Sequence, residues 1–143
     1  MRIEIPVSFG ELIDKLTILE IKKSKITDNE KLKNIQLEFE LLNKKYQTKL
    51  KDTKELQVFY DALLEVNHKL WKIEDKIRIL ENNKEFNEEF IDLARSVYKS
   101  NDERFAIKNE INKTFDSEIQ EQKEYENYSC CLLYTSPSPR DSL

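Results

Sequence analysis

The chain has one glycine, one histidine, two cysteines and three prolines in 143 residues, and each scarcity excludes a class of chemistry. Proteins average roughly 7% glycine, and a single glycine cannot build a GxGxxG or GxxxxGK phosphate-binding loop. Both cysteines, Cys130 and Cys131, lie near the end. The preceding residues therefore offer no thiol nucleophile and no cysteine-based zinc site. The histidine, His68, falls on the f position of the heptad repeat described below, opposite the apolar stripe. There it faces solvent, a poor setting for a general base that must be tuned and aimed. Ser-His-Asp and Cys-His catalysis are accordingly not expected, and nothing points to a cofactor or a metal. No apolar run approaches the roughly 18 residues of a membrane helix. The opening "MRIEIPV" has no apolar core and does not read as a signal peptide. A cytoplasmic location without membrane association is the expectation. Net charge is −4, and the lysines are interleaved with carboxylates in the manner of solvated helix faces, so nucleic acid is not an expected partner.

What is present suits amphipathic helices: 36% charged and 38% hydrophobic residues in a length that fits one domain. The last fourteen residues, "CCLLYTSPSPRDSL" (130–143), break with this composition. They hold both cysteines and two of the three prolines, but only two charges, Arg140 and Asp141. "CLLYTSPSPRD" (131–141) resembles the in-frame translation of a sequencing adapter. The expectation is a single helical domain over 1–129 and a non-native or disordered tail over 130–143.

Hydrophobic spacing divides the domain. "RIEIPV" alternates Ile3, Ile5 and Val7 with polar residues around Pro6, which reads as a short extended arm or an edge strand. A first helix is predicted from about Phe9 to Ile26, apolar on most sides and therefore buried. Ser8 and Glu11 have capping-box spacing at its start. Gly10 in its first turn permits a close approach by the arm or by a neighbouring helix. Spare amides at the same helix end could also hold an anion. "TDNE" (27–30) is a turn, with Asp28 as cap. A second helix is predicted from about Asn29 to Leu50, with apolar residues Leu32, Ile35, Phe39, Leu42 and Tyr46. Asp52 and Glu55 then have capping-box spacing. A third helix, from about Thr53 to Glu81, carries Leu56, Phe59, Leu63, Val66, Leu70, Ile73, Ile77 and Leu80, an a/d repeat of about four heptads. Consecutive heptad helices joined by a short turn predict an antiparallel coiled-coil-like hairpin. Asn87 can cap a fourth helix, with Glu88 and Glu89 favourable in its first turn. That helix either restarts at Ser100, which has capping-box spacing with Glu103, or runs unbroken to about Phe115. A last short helix is predicted from Ser117 to about Glu126. The fold class is all-α: the hairpin packed against two or three further helices, with a short extended N-terminal arm.

Polar residues beside apolar stripes are the candidate functional groups. In the third helix Asn67 and Glu74 take e positions, and Trp71 and Arg78 take b positions. A tryptophan at b implies a contact outside the hairpin, within the chain or with a partner. Glu20 flanks the buried stripe of the first helix. Extending the stripe of the fourth places Asn101, Arg104, Lys108 and Asn112 on it, with Arg95 and Tyr98 just before. Two arrangements are open. These residues form an interhelical pocket in which Arg95, Arg104 and Lys108 meet an anionic group beside Glu20 or Glu74, or they form internal ion pairs that fix helix register. Carboxylate pairs such as Glu85 with Glu88, and Glu89 with Asp92, resemble the magnesium-holding spacings of all-α nucleotide pyrophosphohydrolases. In a chain with 28 acidic residues such spacings arise by chance.

"FGELIDKLTILEIKKSKI", "NHKLWKIEDKIRILE" and "LARSVYKSNDERFAIKNEIN" together resemble an uncharacterised bacterial and phage family, Domain of Unknown Function 6165, over about Ile3 to Tyr128. The motif positions implied are Gly10, Glu11, Asp14, Lys15, Glu20, Asn67, Trp71, Glu74, Asp75, Arg78, Arg95, Tyr98, Asn101, Asp102, Arg104 and Lys108. The resemblance implies no activity. The functional expectation is a helical module that binds a protein partner or self-associates through the hairpin and Trp71. The alternative is a small all-α enzyme or ligand binder with a polar pocket for an anionic metabolite.

Overall fold

A computed structural model describes residues 1–49 and 53–128. Within them lie four helices, α1 (Phe9–Lys25), α2 (Asn29–Lys49), α3 (Lys54–Asn82) and α4 (Glu88–Thr114), and no strand. The fold is all-α. The arm over 1–7 is exposed and forms neither helix nor strand.

The helix starts follow local capping chemistry. Ser8 accepts a hydrogen bond from the Glu11 amide at 3.1 Å, Asp28 from Lys31 at 3.0 Å, Thr53 from Leu56 at 3.1 Å, and Asn87 from Phe90 at 3.0 Å. Each satisfies an amide that the helix cannot pair internally. Asp52 and the predicted tail, 130–143, lie outside the described residues.

Two helices end in the same way. Lys84 and Asp116 take left-handed backbone angles, φ 55° and 51°. The amide three residues past each helix donates back, Glu85 to the Leu80 carbonyl and Ser117 to that of Asn112, both at 2.8 Å. These are Schellman closures built without glycine.

The packing differs from the predicted hairpin. Helix α1 packs against α2, α3 and α4, and α3 packs most extensively against α4, but α2 and α3 do not pack along each other among the described residues. The apolar stripe of α3 is buried or half-buried as its spacing predicts. Its partners, however, are α1 and α4. Periodicity defines which face is covered, not what covers it. Helix α2 packs instead on α1 alone among the helices, and of its residues only Ile35 is buried. Ile13, Leu56, Leu63, Val66 and Ile111 form the core cluster. Each such burial contributes about 1.5–3 kcal/mol before conformational entropy is set against it. Phe59 and Phe115 meet edge to face at 6.3 Å.

Three further expectations are corrected or resolved. Helix α4 runs unbroken through Ser100, which is buried rather than capping a new helix. Residues 117–126 form no helix, because the left-handed turn at Asp116 ends α4 and redirects the chain. His68 is half-buried rather than fully solvent-facing, since helices on two sides narrow the open face of α3.

Candidate functional site

The start of α1 sits directly on α4. A Cβ at Gly10 would lie 2.5 Å from the Lys108 carbonyl oxygen and 3.0 Å from Asn112 Oδ1. The close approach permitted by the only glycine is therefore to a neighbouring helix. The Gly10 amide donates to Asn112 Oδ1 at 2.7 Å, and the Phe9 amide donates to Ser117 Oγ at 3.2 Å. With Glu11 donating to Ser8, the first amides of α1 are taken by the protein's own oxygens, so this helix end does not form an anion site.

One turn further on, Asp14 is fully buried. Its Oδ1 accepts from Arg104 Nε at 3.0 Å and from Asn67 Nδ2 at 2.8 Å. Its Oδ2 accepts from Arg104 Nη2 at 2.5 Å, which makes the guanidinium–carboxylate pair bidentate. Asn67 also donates to Thr17 Oγ1 at 2.9 Å. Lys108 donates to Glu11 Oε2 at 2.7 Å and lies 2.8 Å from Glu121 Oε2. Hydrogen bonding to Asp14 outweighs burial and raises the pKa of Arg104. Burial pulls Lys108 down, but hydrogen bonds to Glu11 and Glu121 and the nearby Asp14 charge reverse this and hold it above its ordinary value. Both cations are thus fixed as charged struts joining α1, α4 and the segment after α4.

Arg104 also forms a wall of an open cleft of about 400 Å³ between α1, α3 and α4. Helix α1 contributes Ile18 and Ile21, α3 contributes Asn67, Leu70, Trp71, Glu74, Asp75 and Arg78, and α4 contributes Asn101 and Arg104. The floor is apolar and the rim is charged. Arg78 donates from Nε to Glu74 Oε2 at 3.1 Å, an i,i+4 pair on the exposed side of α3. Asp75 has no ion-pair partner among the described residues.

The structure therefore gathers Asn67, Trp71, Glu74, Arg78, Asn101 and Arg104 around one cleft. The remaining candidates lie elsewhere. Lys108 is buried among carboxylates. Glu20 is exposed and accepts a short hydrogen bond from the Tyr60 hydroxyl. Arg95 is exposed. Tyr98 packs edge to face with Tyr128 at 5.3 Å. Glu85, Glu88, Glu89 and Asp92 are exposed around the start of α4, and among the described residues no group of three or more His, Cys, Asp or Glu could hold a metal ion.

The apolar stripes do not single out Asp14, the most buried carboxylate among the described residues; only the family resemblance includes it, although its neighbours Ile13, Leu16 and Thr17 lie on the apolar face. The candidate set missed Glu121 and Ser117, whose roles come from a segment predicted as helix.

Among the described residues, no helix is long and apolar enough to cross a membrane. No curated protein and no solved structure matches the chain. A family model does match, over residues 1–141, and the chain belongs to that family of unknown function (DUF6165).

Proposed function

We propose that the chain is a helical binding module, and that it takes a segment of a protein partner in the cleft beside Trp71. The observation that carries this reading is a half-buried tryptophan on the wall of an open cleft with an apolar floor. Such a side chain provides a large anchoring surface for an incoming apolar group. The rim charges favour a protein segment over a small anion. Arg104 is neutralised by Asp14 and Arg78 by Glu74, so a free phosphate or carboxylate would have to compete with carboxylates already in place. An apolar side chain flanked by charges of both signs suits the lining better.

Trp71 is the only tryptophan, so its emission reports on this cleft alone. Short peptides with alternating apolar and charged residues are expected to shift that emission saturably, whereas inorganic phosphate and citrate are not. Leu70→Asp, which places a charge on the cleft floor, should abolish the peptide response. If phosphate or citrate shifts the emission and no peptide does, the cleft is an anion pocket and the proposal is wrong.

A further inference from the structure

The arm over 1–7 presents Ile3 and Ile5 at 83% and 71% exposure. Isolated apolar side chains at a surface are ordinary, but these two alternate with Arg2 and Glu4 in the sequence. Bound as a strand, such a segment turns Ile3 and Ile5 to one side and Arg2 and Glu4 to the other. Among the described residues, the one ion pair from the arm to a helix is the exposed contact of Glu4 with Lys45 at 4.0 Å, of a kind that contributes little. The Glu4–Lys45 contact sets the arm beside α2, and no residue of the arm lines the cleft of its own chain.

We infer that the arm of a second copy of this chain occupies the Trp71 cleft, and that the exchange is reciprocal. This rests on the cleft being a protein-binding site, as proposed above. The dimensions agree. The α3 wall from Asn67 to Arg78 rises about 17 Å at roughly 1.5 Å per residue, and six extended residues span about the same length. The chemistry agrees as well. Ile3 and Ile5 meet the floor of Ile18, Ile21, Leu70 and Trp71. On the rim, Arg2 meets Asp75, the carboxylate with no ion-pair partner among the described residues. Two copies that exchange arms form a closed twofold assembly in which each contact occurs twice.

Sedimentation of the full chain over a wide concentration range, read with Trp71 emission, tests this. A monomer–dimer equilibrium is expected, with the emission changing at the same midpoint. Ile3→Asp combined with Ile5→Asp alters only exposed side chains and should weaken the dimer at least about tenfold, since each lost burial is worth about that factor or more. Arg2→Glu should weaken it about two- to fivefold, and adding Asp75→Arg should return the affinity to near the original. A chain that stays monomeric throughout, a dimer indifferent to the arm variants, or a charge exchange that restores nothing overturns the inference. A peptide of residues 1–8 separates the two proposals. If other peptides shift Trp71 emission and this one does not, only the arm exchange fails. If none does, the protein-binding cleft fails with it.

Discussion

Gly10→Ala tests the closest contact in the fold. In a helix this change ordinarily stabilises by about 0.5–1 kcal/mol, because alanine loses less backbone entropy. Gly10 has no left-handed angle to favour it, so conformation alone predicts that gain. The structure predicts the opposite sign. The added Cβ would stand 2.5 Å from the Lys108 carbonyl oxygen and 3.1 Å from its carbon. Those atoms belong to the backbone of α4 and cannot rotate away. The helices must separate, at a cost of about 1–3 kcal/mol for overpacking. Separation also stretches the buried bond from the Gly10 amide to Asn112 Oδ1, 2.7 Å long, and an unsatisfied buried group costs about 1–3 kcal/mol. Setting the propensity gain against these leaves a net loss of about 2–4 kcal/mol, or a fall in Tm on the order of 10 °C for a chain of this size. Chemical denaturation followed by circular dichroism measures the first and a thermal scan the second. Asn112→Ala, which removes the hydrogen bond without the clash, should cost less than Gly10→Ala. If Gly10→Ala is as stable as the parent or more so, α1 is not held against α4 as described.

Three more predictions follow from the buried polar groups. Asp14→Asn leaves Arg104 and Lys108 short of a buried counter-charge and should cost about 3 kcal/mol in urea denaturation, because breaking a buried pair exposes the remaining charge to an apolar setting; a loss under about 1 kcal/mol would refute that role. Ser100 Oγ is buried and has no hydrogen-bond partner among the described residues, so Ser100→Ala should leave stability unchanged or raise it by up to about 1 kcal/mol, and a clear loss would reveal a hidden bond. Tyr60, raised by burial and then by its bond to Glu20, and Lys108 both hold their protons more tightly folded than unfolded. Their contribution is full below the ordinary values of 10.0 and 10.5 and declines as pH rises past them. Tyr60→Phe should therefore flatten the alkaline limb of a stability–pH profile, and an unchanged limb would count against the assignment.

Local structure was readable where one residue decides it. Ser8, Asp28 and Asn87 cap helices as their spacing predicts, and the stripe from Leu56 to Leu80 marks the buried face of α3. Trp71, placed where a lone hairpin would leave it idle, lies in the cleft. The partners of α3 were not readable, because several stripes of similar width competed for it and chain proximity favoured α2. Ser117 misled for a related reason. Its sequence context suits the start of a helix, yet its hydroxyl completes α1, 108 residues earlier in the chain. Asp14 entered only through the family resemblance, because a carboxylate on an apolar face is normally read as solvent-facing. Only the arrival of Arg104 and Asn67 from two other helices makes its burial tolerable.

The completion of α1 by Asn112 and Ser117 orders events during synthesis. At about 5–20 residues per second, the partners of Phe9 and Gly10, 108 and 102 residues downstream, emerge roughly 5–20 seconds after them. Until then Asp14 has no guanidinium and must remain hydrated, so α1 cannot bury the face that carries it. The first of these four helices to leave the ribosome is in this sense the last to be finished, and a nascent chain stalled before Asn112 would expose an unsealed apolar face to chaperones.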